Sequence, residues 1–278
     1  MATPLPNRIC FYAMAHADDV QLFMQPAFWQ DLTAPDTEVA VVVTTAGDGG
    51  MEKTFWQARE EGLKSSVRFC LAAGGDLAET PTTHRHVNSK AIAHAQIGNC
   101  RFYFLRLPDG GLDGNGFGSN GFRSISKLQR KEVASLASLD GAAHYECWED
   151  FCNTLDALVS MQRGDGIGLI ELHYLLPDER HNPGDHPDHR ATGTALQSLV
   201  GCSHICYGGY NGKGTPEPLC PEASFWKTGM FAAYEKTVFD LTGYSTLREA
   251  PETYVNWTLR GAVVFPQKDP AKEADQSA

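Results

Sequence analysis

The chain of 278 residues is long enough for one large domain or two small ones. Hydrophobic residues make up 42% and charged residues 21%, ordinary globular usage that excludes overall disorder. Lys plus Arg total 23 against 34 Asp plus Glu, and the resulting net charge of −11 would repel a phosphate backbone, so nucleic acid is not an expected partner.

In chain order, the apolar run RICFYAMA from Arg8 to Ala15 predicts a buried strand, with a helix starting near Asp18. VAVVVTT, from Val39 to Thr45, is rich in β-branched residues and predicts a second strand that leaves through AGDGG. The spacing of Phe55, Ala58, Gly62, Leu63, Val67 and Leu71 predicts a helix from Phe55 to Ala73, stopped by Gly74 and Gly75. A polar stretch from Thr80 to Lys90 reads as a surface insertion before a strand from Arg101 to Leu107.

The glycine-rich segment from Pro108 to Gly121 has no apolar period and is expected to be a functional loop. A helix follows from His144 to Gln162, then a strand from Gly166 to Leu175, a helix from His186 to Val200, the strand-like SHICYGG and a helix through Phe225 to Leu241. Such alternation predicts a single-domain three-layer α/β/α sandwich with a mostly parallel, Rossmann-like sheet over residues 1–265, followed by a polar tail from 266 to 278. Ligands in such sheets bind beyond the carboxyl ends of the strands, where strand order reverses.

No apolar stretch reaches the about 20 residues of a spanning helix, and no apolar signal core follows a charged start, so a cytoplasmic location is expected. The eight cysteines are scattered and expected to be reduced. Cys202, His204 and Cys206 alternate along one strand and could face a soft metal together, but small buried strand residues are the favoured reading.

Two other clusters carry metal-type ligands. HADD, at the exit of the first strand, offers His16 and Asp19 to a cation and leaves Asp18 free, although an Asp here can also cap the following helix. DHPDH places His186 and His189 in the first turn of a helix, where residues three apart lie on one face, with Pro187 fixing the turn. Isolated histidines such as His84, His86 and His94 read as surface residues. Neither glycine-rich loop has the Gly-x-Gly-x-x-Gly order of a dinucleotide site.

HADD, VVVTTAGDGG, AREEGLKSSVRFCLAAGG, FLRLPDGG and HPDH, in that order, resemble the PIG-L/LmbE-like zinc-dependent N-acetylglucosaminyl deacetylases. The resemblance implies Zn2+, or another divalent transition metal, on His16, Asp19 and His189, with Asp18 as general base. His186, doubly protonated and oriented by Asp188, would stabilise the oxyanion or act as general acid, while Asp109 and Arg59 would meet the substrate. It implies a small-molecule or glycoconjugate substrate that loses an N-acetyl group. Action on another acyl amine, or a non-catalytic sugar- or metal-binding role, are the alternatives. Ala17 stands where the family has proline, Val20 where an acid is common, and Gly184 where some relatives carry a tyrosine, for which His173 and Tyr174 are candidate replacements.

Overall fold

The computed structural model describes residues 7–74, 77–163 and 169–266. Strand β1 (Arg8–Met14) is apolar on both faces, as a strand covered from both sides must be. Helices α1 (Asp19–Phe23) and α2 (Ala27–Thr33) lead to β2 (Thr37–Thr45), and α3 (Lys53–Ala72) leads to β3 (Glu79–Val87), β4 (Lys90–Ile97) and β5 (Cys100–Leu107). After the glycine-rich loop come α4 (Ile125–Gln129), the short pair β6 (Leu136–Ala137) and β7 (His144–Tyr145), and α5 (Trp148–Gln162). The described chain continues through β8 (Leu169–Leu175), α6 (Pro187–Gln197), β9 (Ser203–Tyr207), α7 (Pro221–Thr242), α8 (Thr246–Glu249), α9 (Pro251–Leu259) and β10 (Val264–Pro266).

One sheet runs in the order β10-β9-β8-β1-β2-β5-β4-β3. Its centre, from β9 to β5, is parallel, whereas β10, β4 and β3 pair antiparallel at the edges. Alternating side chains divide the core. Cys10, Tyr12 and Met14 face a layer holding Phe28, Leu63, Val67 and Phe231, while Ile9, Phe11 and Ala13 face Ile125, Leu155, Leu158 and Leu196. Helices α1, α2, α3 and α7 thus cover one face and α4, α5 and α6 the other, which is the expected α/β/α sandwich. No helix among the described residues is long and apolar enough to cross a membrane.

The stretch from Thr80 to Lys90, read as a surface insertion, forms β3 and the turn into β4, the exposed outer part of a hairpin at the sheet edge. β3 is exposed on both sides along nearly its whole length, so it carries no apolar alternation to read and is held by its ladder to β4. The helix expected from His144 begins only at Trp148, because His144 and Tyr145 pair with β6. Within the loop from Pro108 to Gly121, Gly118–Asn120 make a 3-10 turn. Gly75, residues 166–168 of the expected strand and residues 267–278 of the expected tail lie outside the described residues. All eight cysteines are unpaired, Cys202 and Cys206 are buried, and His204 bonds Tyr174 and the Leu199 carbonyl through its two ring nitrogens.

Candidate metal centre and active site

From β1 the chain passes to β2 on one side and later returns to β8 on the other, so the carboxyl end of β1 is where strand order reverses. His16, Ala17, Asp18 and Asp19 leave β1 at that point. The turn is closed by Asp19, whose Oδ2 accepts hydrogen bonds from the backbone N–H of Ala15 (3.1 Å) and His16 (2.9 Å). Those bonds fix the exit that a proline at position 17 would otherwise stiffen. Asp18 occupies the N-cap position of α1 yet makes no capping bond, so the cap reading fails for it.

The second cluster arrives on α6, which packs against β8. Pro187 opens this helix, and the backbone N–H of Asp188 donates to His186 Nδ1 at 3.2 Å. Although His16 and His189 are 173 residues apart, His16 Nδ1 and His189 Nε2 face each other at 3.0 Å. Asp19 Oδ1 lies 3.1 Å from His189 Nε2 and 3.7 Å from His16 Nδ1. One donor atom from each of His16, Asp19 and His189 therefore falls within 4.8 Å of the others, all three residues being buried. The far nitrogen of His189 meets Asp185 Oδ1 at 3.0 Å, the carboxylate support that metal-binding imidazoles usually have.

The donor set fits a divalent cation. Two facing imidazole nitrogens cannot both aim a proton into a 3.0 Å gap, so the pair keeps one proton there. Burial opposes that charge, but Asp188, Asp19 and Asp109 outweigh it and raise His16 to about 9; Asp19 and Asp185 raise His189 in the same way. Burial alone would likewise raise Asp19, yet His189 and His16 pull its carboxyl well below the ordinary value. A cation would take the place of the shared proton, among donors of the hard-to-borderline kind that zinc accepts. His16 also joins a second, looser group with Asp109, His186 and Asp188. Its Nε2, which has no hydrogen-bond partner among the described residues, lies 3.8 Å from Asp188 and 4.0 Å from Asp109.

The remaining expected residues surround this centre. Arg59 Nη2 donates to Asp18 Oδ1 at 2.5 Å, Nη1 to the Gly47 carbonyl at 2.7 Å, and Nε to the Tyr234 hydroxyl at 2.8 Å. Asp109 accepts from the backbone N–H of Gly111 and Gly49, and its Oδ1 lies 3.8 Å from His186 Nε2. Asp188 Oδ2 accepts from the Gly110 N–H at 2.8 Å and is 3.8 Å from His186 Nδ1. The ring of His186 is thus fixed by the backbone of Asp188 rather than by its carboxylate. Because Nδ1 accepts that bond, His186 is neutral with its proton on Nε2, and burial together with the positive charge of the neighbouring His16–His189 pair pushes its pKa down. This differs from the expected imidazolium.

A cavity of about 310 Å3 opens on the centre, lined by His16, Asp18, Arg59, Asp109, His186 and aromatic side chains that include Phe117, Tyr210 and Trp257. Tyr210 was not read from the sequence. It follows β9, stacks on Trp257 at 4.7 Å and stands edge-on to His189 at 5.3 Å. Its position three residues beyond a parallel strand was the available signal. His173 and Tyr174 are instead turned elsewhere, bonding Tyr207 and His204 respectively, and neither lines this cavity. At position 184 φ is +63°, so a tyrosine would be strained there. Elsewhere, Tyr234 is buried on Arg59, Trp226 packs against the core and Phe122 is exposed.

A parallel sheet with clustered histidines and carboxylates at its switch point defines an α/β protein with a candidate metal centre. The chain belongs to the PIG-L family, described as GlcNAc-PI de-N-acetylase, whose profile matches residues 12–200. Among solved structures it is similar to N,N'-diacetylchitobiose deacetylase from Pyrococcus horikoshii, at 13% identity over 96% of this chain and 88% of that one, with a TM-score of 0.46. It is also similar to the zinc-inhibited form of teicoplanin deacetylase Orf2, at 10% identity over 94% and 99% of the two chains (TM-score 0.46). A further likeness is to GalB, the 4-carboxy-2-hydroxymuconate hydratase from Pseudomonas putida KT2440, at 11% identity over 94% and 98% (TM-score 0.40). No curated protein matches the chain significantly.

Proposed function

We propose that this protein is a zinc-dependent hydrolase that removes the acetyl group from an N-acetylglucosamine-type amino sugar or glycoconjugate. Membership of a family described as a de-N-acetylase supports the reaction class. The observation that carries the reading is the meeting of His16, Asp19 and His189 beside Asp18 at the floor of a cavity. Those three residues would hold the cation. When bound, zinc would supply Lewis acidity toward the amide carbonyl and toward water.

The chain's own groups divide the rest of the work. Asp18 has one oxygen engaged by Arg59, while the other has no hydrogen bond among the described residues and can take a proton from the attacking water. Arg59, with all three nitrogens engaged by protein groups, holds Asp18 in place rather than reaching for substrate. His186 presents Nε2–H toward the same space and can donate a hydrogen bond to the oxygen that becomes negative, while the proton that Asp18 takes from water is the one available to the departing amine. Asp109, fixed by two backbone amides, can accept from sugar hydroxyls. The cavity volume sits at the small end of the about 300–1,000 Å3 usual for ligand pockets, and its aromatic wall suits a sugar face.

The test is acetate release from a panel of N-acetylated glycosides and other acylated amines, with and without a chelator. Release from the amino sugars, lost on chelation and restored by Zn2+, is expected. Release from non-sugar amides alone, or release that ignores the chelator, overturns the proposal.

A further inference from the structure

Toward the other end of β1 lies a second set of donors that the active centre does not use. Cys10 on β1, Asp31 on α2 and His173 on β8 meet on the sheet face that α2 covers, roughly 20 Å along the strand direction from His16. One ligand atom from each falls within 4.8 Å of the others, and all three residues are buried. His173 is 2% exposed; its Nδ1 meets the Tyr207 hydroxyl at 2.8 Å, and its ring stacks on Tyr12 at 4.2 Å. Its Nε2 stands 3.9 Å from Asp31 Oδ2 and has no hydrogen-bond partner among the described residues. A buried imidazole nitrogen aimed at a carboxylate and left unpaired is available to bind a cation.

His173 and Asp31 also line a cavity of about 290 Å3, separate from the one at the switch point. Its charged lining is Arg8 against Asp31, Glu171 and Glu217, an excess of two negative charges that a divalent cation would neutralise. Arg8 is paired closely with Asp31 Oδ1 and lies 3.1 Å from Glu171, while the Tyr12 hydroxyl donates to Asp31 Oδ2 at 2.6 Å. These partners fix the carboxylate as an outer shell does. The Cys10 thiol donates toward Glu171 Oε2 at 3.5 Å, so a carboxylate stands ready to accept the proton that leaves when the sulfur becomes a ligand.

We propose that Cys10, Asp31 and His173 form a second metal site, taking a divalent cation of the zinc type through this cavity and tying α2 to the two central strands β1 and β8. Sulfur together with imidazole selects zinc-like ions over magnesium or calcium. Zinc–donor bonds of about 2.0–2.3 Å set donors about 3.3–3.6 Å apart, so the set needs to contract by about 1 Å.

Cobalt reads this site apart from the active centre, which contains no sulfur. The full chain, stripped of metal and titrated with Co2+, should bind two ions and develop a near-ultraviolet sulfur-to-cobalt absorption. His16→Ala should lose one ion and keep that band. Cys10→Ser should lose the band and keep the other ion, and His173→Gln, which leaves every cysteine in place, should weaken the band's Co2+ affinity at least tenfold. A wild type that binds cobalt without a sulfur band overturns the site, as does a band that survives unchanged in Cys10→Ser.

Discussion

Asp18 and Arg59 show how much of the site depends on a single contact. Lysine has neither the planar fork nor enough fixed donors to reach Asp18, Gly47 and Tyr234 together. Arg59→Lys should therefore lower kcat by about 10–100-fold while leaving KM and metal content nearly unchanged. A raised KM with normal kcat would return Arg59 to the substrate. The proton shared by His16 and His189 makes a second residue-scale prediction, since the metal must displace it. Below about pH 9 each unit of acidity should weaken metal affinity about tenfold, as titrations at several pH values would show; a pH-independent affinity would contradict the shared proton. The residues proposed as ligands were legible as candidates because HADD and DHPDH each place two functional groups within one turn of chain. The task of Arg59 and the presence of Tyr210 were not, because both follow from contacts between distant segments.

At the scale of elements, α6 must lie close on the end of β8 to bring His189 to His16. Gly193 permits this: a Cβ there would come within 2.3 Å of the Leu175 carbonyl oxygen and 3.0 Å of Pro177. Backbone cannot yield as a flexible side chain does, so Gly193→Ala should cost about 1–3 kcal/mol and weaken metal binding by shifting the helix. Unchanged stability and affinity would show that α6 has slack. Helix α7 carries another device, Lys227, which is buried and donates to the carbonyls of Leu22 and Arg260. Burial, with the Arg260 charge behind it, lowers its pKa from 10.5 to about 7. Between those values the unfolded chain keeps a proton that the folded chain has released, so stability contributed here rises as pH climbs from about 7. Denaturation of wild type and Lys227→Met from pH 7 to 9 should show the rise only in wild type; parallel pH dependences would contradict it. Elements with an apolar period, such as α3 and α5, were legible, whereas β3 was hidden because its stability comes from pairing with β4.

Across the whole molecule, the alternation of strands and helices was enough to foresee two helical layers on one sheet, and with them a site at the carboxyl end of a central strand. The order of the strands is a long-range property and could not be read, yet it decides the outcome: β1 lies between β2 and β8, so the turns beyond β1 and β8 face one another. That placement converts two short motifs into one centre and leaves Asp18 beside it. The most direct test is acetate release from the best substrate of the panel by metal-loaded wild type and Asp18→Asn, with metal content measured on the same samples. We predict that the variant keeps the metal and loses about 10²–10⁴-fold in rate. Turnover at the wild-type rate with metal still bound would contradict the account.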